Sequence, residues 1–262
     1  MITSLQNPAI KNIVKLSKSK ERRDQQLFVI EGARELSLAI QSSYKIETVY
    51  VCREKFHDTK YPNVLDSIPV NDIFEISSVV FEKIAYRENS DGLVALARPK
   101  SHKVQELQLS ENPFIILLES VEKPGNLGAV LRTADAAKVD AVIVCDPQTD
   151  LYNPNVIRSG VGGLFTVQTA VCSSEEALEW LKSKNINIYA AELEASEFYN
   201  DIDFSKPSAI VMGTEADGLT DFWINNATER IKIPMLGKID SLNVSVSTAV
   251  ITFEAMRQRG RR

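Results

Sequence analysis

Hydrophobic positions change their spacing in a regular way along this chain. Ile10, Ile13, Val14 and Leu16 recur at three- to four-residue intervals. That spacing predicts an amphipathic helix within residues 1–26, with basic residues on its other faces. Leu27–Ile30 is a short apolar run, read as a buried strand that Glu31-Gly32 ends. Helical spacing returns through Leu36, Ala39 and Ile40. Ile46–Cys52, Ile73–Ile76 and Gly92–Ala97 read as further strands, with a helix through Val79, Val80 and Ile84 before the last of them. Strands alternating with helices predict a small α/β domain with a largely parallel sheet.

The stretch Arg98–Gln105 is polar and basic and contains Pro99, the composition of a linker. The expected division is a domain over 1–98, a linker over 99–112 and a second domain over 113–262. The second domain opens on Phe114–Leu118, a continuous apolar run as expected of a strand covered on both faces. A helix follows through Leu127, Val130, Leu131, Ala134 and Ala137, then a strand at Ala141–Cys145. Asn153 caps the next predicted helix and Pro154 takes its first position. Thr166–Val171, a helix over Glu175–Lys184, Ile188–Ala191, Ser208–Met212 and Arg230–Ile233 continue the alternation. Pro234 stops the last strand, Gly237 is free to take a positive φ, and Ser241 or Asn243 caps a helix to about Arg257. The expected fold is an open, mostly parallel α/β sheet. Ligands of such sheets lie outside the carboxyl ends of the strands, which directs attention to the loops after Leu118, Cys145, Ala191, Met212 and Ile233.

Composition narrows the function. Apolar residues make up 44% of the 262 and charged residues 25%, the balance of a soluble globular protein. No apolar run approaches the roughly 20 residues that span a bilayer, and the first residues show no leader pattern. Cys52, Cys145 and Cys172 are scattered and odd in number, which predicts reduced thiols, a cytoplasmic location and no metal site. His57 and His102, the only histidines, both lie in polar loop-like sequence, which argues against catalysis centred on histidine. A net charge of −5 argues against an indiscriminate nucleic-acid binder. Its distribution argues otherwise: Lys11, Lys15, Lys18, Lys20, Arg22, Arg23 and Arg34 cluster near one end, and Arg257, Arg259, Arg261 and Arg262 near the other. Such ends suit a polyanion partner, and equally two solvated helix faces.

Three stretches hold the candidate chemistry. In Lys123-Pro124-Gly125-Asn126-Leu127-Gly128-Ala129-Val130-Leu131-Arg132-Thr133-Ala134, a strand-to-helix turn could bind an anion, and Asn126 could cap the helix. It is neither a dinucleotide fingerprint nor a Walker loop. Gly213-Thr214-Glu215-Ala216-Asp217-Gly218 sets two glycines around acids after a buried strand, allowing a ligand close to the backbone. Ile233-Pro234-Met235-Leu236-Gly237-Lys238-Ile239-Asp240-Ser241-Leu242-Asn243-Val244-Ser245-Val246 places small polar residues at the mouth of an apolar helix. Alone, each reads as an ordinary turn or cap.

Together, and in this order, the three resemble the motifs of the SpoU/TrmH family of RNA 2′-O-ribose methyltransferases, within the SPOUT superfamily. The resemblance covers roughly Pro113 to Arg257. Asn7-Pro8 and Phe28-Val29-Ile30-Glu31-Gly32 with Arg34 resemble, more loosely, the N-terminal substrate-binding domain of some members, itself similar to RNA-binding ribosomal proteins. The resemblance implies an enzyme that uses S-adenosylmethionine, a C-terminus tucked through a trefoil knot, and a homodimer formed through the knot. It places the cofactor at Gly213, Ile233 and Leu242, with Ala191–Glu192 nearby. It gathers Asn126, Arg132, Glu215, Ser241 and Asn243 around the reaction, Arg132 serving the target phosphate and hydroxyl. Arg22, Arg23, Arg34 and Arg158 are the RNA-binding candidates. A separate recognition domain favours ribosomal over transfer RNA as substrate. A non-catalytic RNA-binding factor that keeps the fold is the alternative from another class.

Overall fold

The computed structural model describes every residue except 57–60, 62, 88, 89, 261 and 262, so His57, Arg261 and Arg262 lie outside the described residues. The chain forms two compact units. The first holds Met1–Ser101 together with Asp150–Thr166, and the second holds His102–Thr149 and Val167–Arg262. Residues Asp150–Thr166, which sequence order grouped with the second domain, thus cluster with the first unit.

In the first unit, Asn7 accepts a hydrogen bond from the Ala9 N–H (2.9 Å) and caps α1 (Pro8–Lys15). The single helix expected within 1–26 is two: a turn at Leu16–Lys18 separates α1 from α2 (Ser19–Gln25). The cause is Arg22, whose buried guanidinium takes the carbonyls of Leu16 (2.7 Å) and Ser17 (2.8 Å), groups that a continuous helix would use internally. Strands β1 (Phe28–Glu31), β2 (Ile46–Val51), β3 (Ile73–Glu75) and β4 (Leu93–Ala97) form a sheet in the order β1-β4-β2-β3, with α3 (Ala33–Gln41) and α4 (Ser78–Ile84) between strands in sequence. This sheet is mixed, not largely parallel. Strand β4 runs antiparallel to both β1 and β2, and only β2 and β3 are parallel. Alternation of strands and helices gives the order of elements but not the direction in which each strand enters the sheet. Ile10, Ile13, Leu16, Val80, Phe81 and Val94 make one apolar cluster. A second gathers the rings of Phe28, Tyr44, Tyr152 and Phe165, with Phe28 and Tyr152 centred 4.3 Å apart and Tyr44 and Phe165 5.1 Å apart. It draws α6 (Pro154–Ser159) and α7 (Gly163–Thr166) into this unit.

The second unit is an open sheet of seven strands in the order β7-β6-β5-β10-β8-β11-β9, every pair parallel. The strands are β5 (Phe114–Glu119), β6 (Ala141–Cys145), β7 (Thr169–Cys172), β8 (Asn187–Ala191), β9 (Glu197–Phe198), β10 (Ser208–Met212) and β11 (Glu229–Lys232). The expected α/β architecture is present. All of β5 and β10 is buried, as their continuous apolar sequence requires. Helices α5 (Pro124–Ala137), α8 (Ser174–Ser183), α9 (Asp221–Asn226) and α10 (Val244–Gln258) complete the unit, and α10 packs on α5. Glu119, at the end of β5 and only 4% exposed, accepts from the Thr220 N–H (2.9 Å) and hydroxyl (2.6 Å), which fixes the start of α9. Cys145 and Cys172 lie opposite each other in β6 and β7, and all three cysteines are free thiols. Arg259 donates to the carbonyls of Phe204, Asn112, Pro113 and Lys206, and Arg257 pairs with Glu254. The basic C-terminal cluster is therefore partly consumed in holding α10.

Candidate active site

Strands β5 and β10 are neighbours, with Leu118 opposite Met212. The loops leaving their carboxyl ends therefore emerge side by side, although 89 residues separate Asn126 from Glu215. Pro124 occupies the first turn of α5 and Lys123 is its cap position, so Asn126 already lies inside the helix. It does not cap α5, as the local pattern suggested. Its amide instead donates to Glu215 Oε1 at 3.0 Å. Asn243, not Ser241, caps α10: its oxygen accepts from the Ser245 N–H (3.0 Å) and hydroxyl (2.6 Å). The Asn243 Nδ2 donates to Asn126 Oδ1 at 3.2 Å and to Glu215 Oε1. Three of the five expected reaction-centre residues thus join one hydrogen-bonded cluster.

Lys123 completes this cluster by pairing its ammonium with the second oxygen of Glu215. The nearby Lys123 charge, then the amides of Asn126 and Asn243, hold the Glu215 carboxyl below the usual carboxylate range. Lys123 was missed at the sequence level. It stands directly before Pro124 in a stretch read only as a possible anion-binding turn, which gave no signal of its pairing with Glu215.

The remaining two sit apart from the cluster. Ser241 is exposed and bonds Asp240 Oδ1 at 3.2 Å. Arg132, further along α5, is exposed and has no hydrogen bond or ion pair among the described residues. Among the described residues it is a cation with no ion-pair partner.

Beside the cluster lies a cavity of about 470 Å³. Gly213, Ile233 and Leu242, the three expected cofactor positions, all line it, together with Glu215, Ser241 and Glu192. Its shape depends on Gly213. Thr214 and Gly218 exchange two backbone hydrogen bonds (2.9 and 3.2 Å), folding the loop back so that a Cβ on Gly213 would stand 2.1 Å from the Gly218 carbonyl. No side chain fits there. Gly237 does not adopt the positive φ expected of it. Glu192 is mostly buried at the far wall, 3.1 Å from the Arg230 guanidinium. Backbone edges, apolar side chains and a few acids suit a ligand with a flat apolar ring and hydroxyls. The S-adenosylmethionine that the motifs imply fits this description. Among the described residues, no group of His, Cys, Asp or Glu could hold a metal ion, and no helix is long and apolar enough to cross a membrane.

The RNA-binding candidates divide within the first unit. Arg22 is 5% exposed and is spent on Leu16, Ser17 and Asp150, so it is a structural residue and not a phosphate contact. A count of charges along the chain treats every cation as exposed, and here one is interior. Arg23 is well exposed, 3.8 Å from Asp24. Arg34 donates to the Tyr61 hydroxyl at 2.8 Å. Arg158 is exposed, with its guanidinium on the face of Tyr86.

Comparison with known proteins gives this geometry a lineage. Residues 113–253 match the SpoU rRNA Methylase family, and residues 7–95 match an MRM3-like substrate binding domain. A crystal structure of an RNA 2′-O ribose methyltransferase is 40% identical, superposes with a TM-score of 0.88, and the match covers 98% of both chains. The S-adenosylmethionine-bound rRNA methyltransferase of Sinorhizobium meliloti is 29% identical with the same TM-score, over 98% of this chain and 97% of that one. A 23S rRNA guanosine 2′-O-methyltransferase of Bacillus subtilis is 27% identical over 96% of this chain and 97% of its own. The matched region contains Asn126, Glu215, Asn243 and the cavity beside them, and the chain accordingly belongs to the SpoU rRNA methylase family.

Proposed function

We propose that this protein is an S-adenosylmethionine-dependent enzyme that methylates a ribose 2′-hydroxyl of RNA, with ribosomal RNA preferred to transfer RNA. The observation that carries the reading is the meeting of Asn126, Glu215 and Asn243 at a cavity lined by Gly213, Ile233 and Leu242. When bound, S-adenosylmethionine supplies an already activated methyl group. The protein must then orient a weakly acidic hydroxyl and stabilise the negative charge that develops on it. Arg132 supplies the compensating positive charge, or holds the adjacent phosphate. A permanently charged guanidinium is suited to this and not to proton abstraction. Glu215 is a poor base for a related reason: its three donors stabilise the ionised form. Its role is to hold Asn126 and Asn243 in register across the cavity mouth, while Ser241 adds a hydroxyl at the rim.

The N-terminal unit serves substrate binding, consistent with its match to a substrate binding domain. Arg23, Arg34 and Arg158 remain its phosphate contacts. Homodimerisation is part of the same reading. Val246 and Phe253 on α10 are 47% and 51% exposed, and Leu236 and Ile239 in the preceding loop are 96% and 72% exposed. Apolar surface of this extent suits burial by a second copy. This loop and α10 are also the segment that would close the knot. A cytoplasmic location follows from an RNA substrate and free thiols.

The decisive experiment is Arg132→Ala. Methyl transfer falls by at least about 10²–10³-fold, as when a charge-stabilising donor is lost, while calorimetric binding of S-adenosylmethionine is unchanged. Turnover like the wild type would remove Arg132 from the mechanism. Absence of S-adenosylmethionine binding by the wild-type protein would favour the non-catalytic RNA-binding factor. Mapping 2′-O-methyl sites in total RNA with and without the protein then identifies the substrate, and loss of a transfer-RNA site would overturn the ribosomal assignment.

A further inference from the structure

The first unit contains a cavity of about 160 Å³ that the motif resemblance does not involve. Ile13, Val29, Ile84 and Ile157, all buried, form its apolar floor. Its rim is different in kind. Lys83 and Arg158 are exposed cations with no ion-pair partner among the described residues. Tyr86 is 57% exposed and carries the Arg158 guanidinium 5.6 Å from its ring centroid. Asn155 Oδ1 accepts from both Nε (3.1 Å) and Nη2 (2.8 Å) of Arg158, which fixes the plane of the stack. Arg87, also on the rim, is committed to the buried Glu35 at 2.5 Å and supplies rigidity more than free charge.

One wall carries Glu31, the last residue of β1. Its oxygens accept from the backbone N–H groups of Tyr86 (2.6 Å) and Arg87 (3.0 Å). The carboxylate is thereby held in place, and each of its oxygens retains a further lone pair. An apolar slot, an aromatic–guanidinium platform, two cations at the mouth without an ion-pair partner among the described residues and a fixed acceptor pair are the requirements for one unstacked nucleotide. The base enters the slot, its phosphates meet Lys83 and Arg158, and the carboxylate receives a donor edge. Guanine presents two adjacent N–H donors on its Watson–Crick edge, whereas adenine presents one donor beside an acceptor.

We propose that this cavity binds a single unpaired nucleotide of the RNA, guanosine in preference to adenosine, and so anchors the substrate at a point separate from the reaction centre. The inference rests on RNA being the substrate. It assigns Lys83, Tyr86 and Glu31 a binding role and gives Arg158 a specific one.

The test uses the full-length protein and two fluorescein-labelled ribopentamers, UUGUU and UUAUU, with binding followed by anisotropy. Wild-type protein binds UUGUU about tenfold more tightly than UUAUU. Val14→Trp adds bulk at the cavity mouth, where Val14 is 39% exposed, and removes no charge. It weakens UUGUU binding about tenfold or more while S-adenosylmethionine affinity, an independent check of folding, stays unchanged. Glu31→Gln brings the ratio between the two pentamers towards one. Equal binding of the two pentamers by the wild type, no binding of either, or wild-type affinity in Val14→Trp would each overturn the pocket. Methyl transfer to ribosomal RNA by the wild type in those cases would leave the enzymatic reading intact. Conversely, guanosine-selective pentamer binding without methyl transfer would sustain the pocket and remove the enzymatic reading.

Discussion

Glu119 and Glu215 lie at the carboxyl ends of neighbouring parallel strands of one sheet, and the fold uses them in opposite ways. Glu119 is nearly inaccessible, and Thr220 supplies both of its donors. Glu215 retains a quarter of its side-chain exposure and gathers donors from Lys123, Asn126 and Asn243, two widely separated stretches of chain. A buried carboxylate spent entirely on one residue, here 101 positions away, fastens a loop. An accessible carboxylate that organises side chains from several loops maintains a shape for something else to enter. Acidity alone would rank the two alike, so their own exposure and the number of residues each one gathers are what separate scaffold from site.

Replacing each acid sharpens the contrast. Glu215→Ala lowers methyl transfer about 10²-fold, the scale of a misplaced reacting group, while thermal stability stays within about 0.5 kcal/mol. A melting transition that fell in step with activity would make Glu215 a second Glu119. Glu119→Ala does the reverse: the Thr220 N–H and hydroxyl lose their ionised acceptor, at about 1.5–3 kcal/mol for a hydrogen bond to a charged group. Thermal denaturation should show that loss, with Glu119→Gln recovering part of it. Full stability in Glu119→Ala would mean that the loop is held by other contacts.

The smallest effect concerns protons. Because the folded pKa of Glu215 is lowered, its contribution to stability is complete above the usual carboxylate value and is lost as pH falls through the lower, folded value. Lys123→Ala removes the largest cause, so the loss is smaller and is complete at a higher pH, while stability at neutral pH changes by no more than about 1 kcal/mol. Carboxyl-carbon NMR titration of wild type and variant measures this directly. A wild-type midpoint at the ordinary value would show that Lys123 does not hold the acid.

Much of this architecture was legible from patterns of apolar residues. Runs such as Phe114–Leu118 and Ser208–Met212 are buried on both faces, so their hydrophobicity is uninterrupted and their assignment as strands is unambiguous. The mixed first sheet was not legible, because reversing β4 changes none of its inward-facing positions. Arg22 shows the same limit for charge. Its burial depends on Asp150, 128 positions away, and the break between α1 and α2 follows from that burial. Asn126 read locally as a cap, yet its real partners lie 89 and 117 positions on. The motifs carried these residues into the site only because their order along the chain resembled a family pattern. Lys123 had no assigned place in that pattern, and only side-chain geometry revealed its pairing.

The excursion of Asp150–Thr166 into the first unit has a consequence for the chain as a heritable object. The polypeptide passes from one unit to the other three times, at 101–102, 149–150 and 166–167. Neither unit is a cassette that recombination could move intact with two cuts at its ends. A fragment closing at residue 98 keeps Phe28 and Tyr44 but leaves behind Tyr152 and Phe165, half of the ring cluster that fills its interior. Moving the first unit by cuts at its ends alone therefore leaves Asp150–Thr166 without the rings it packs against.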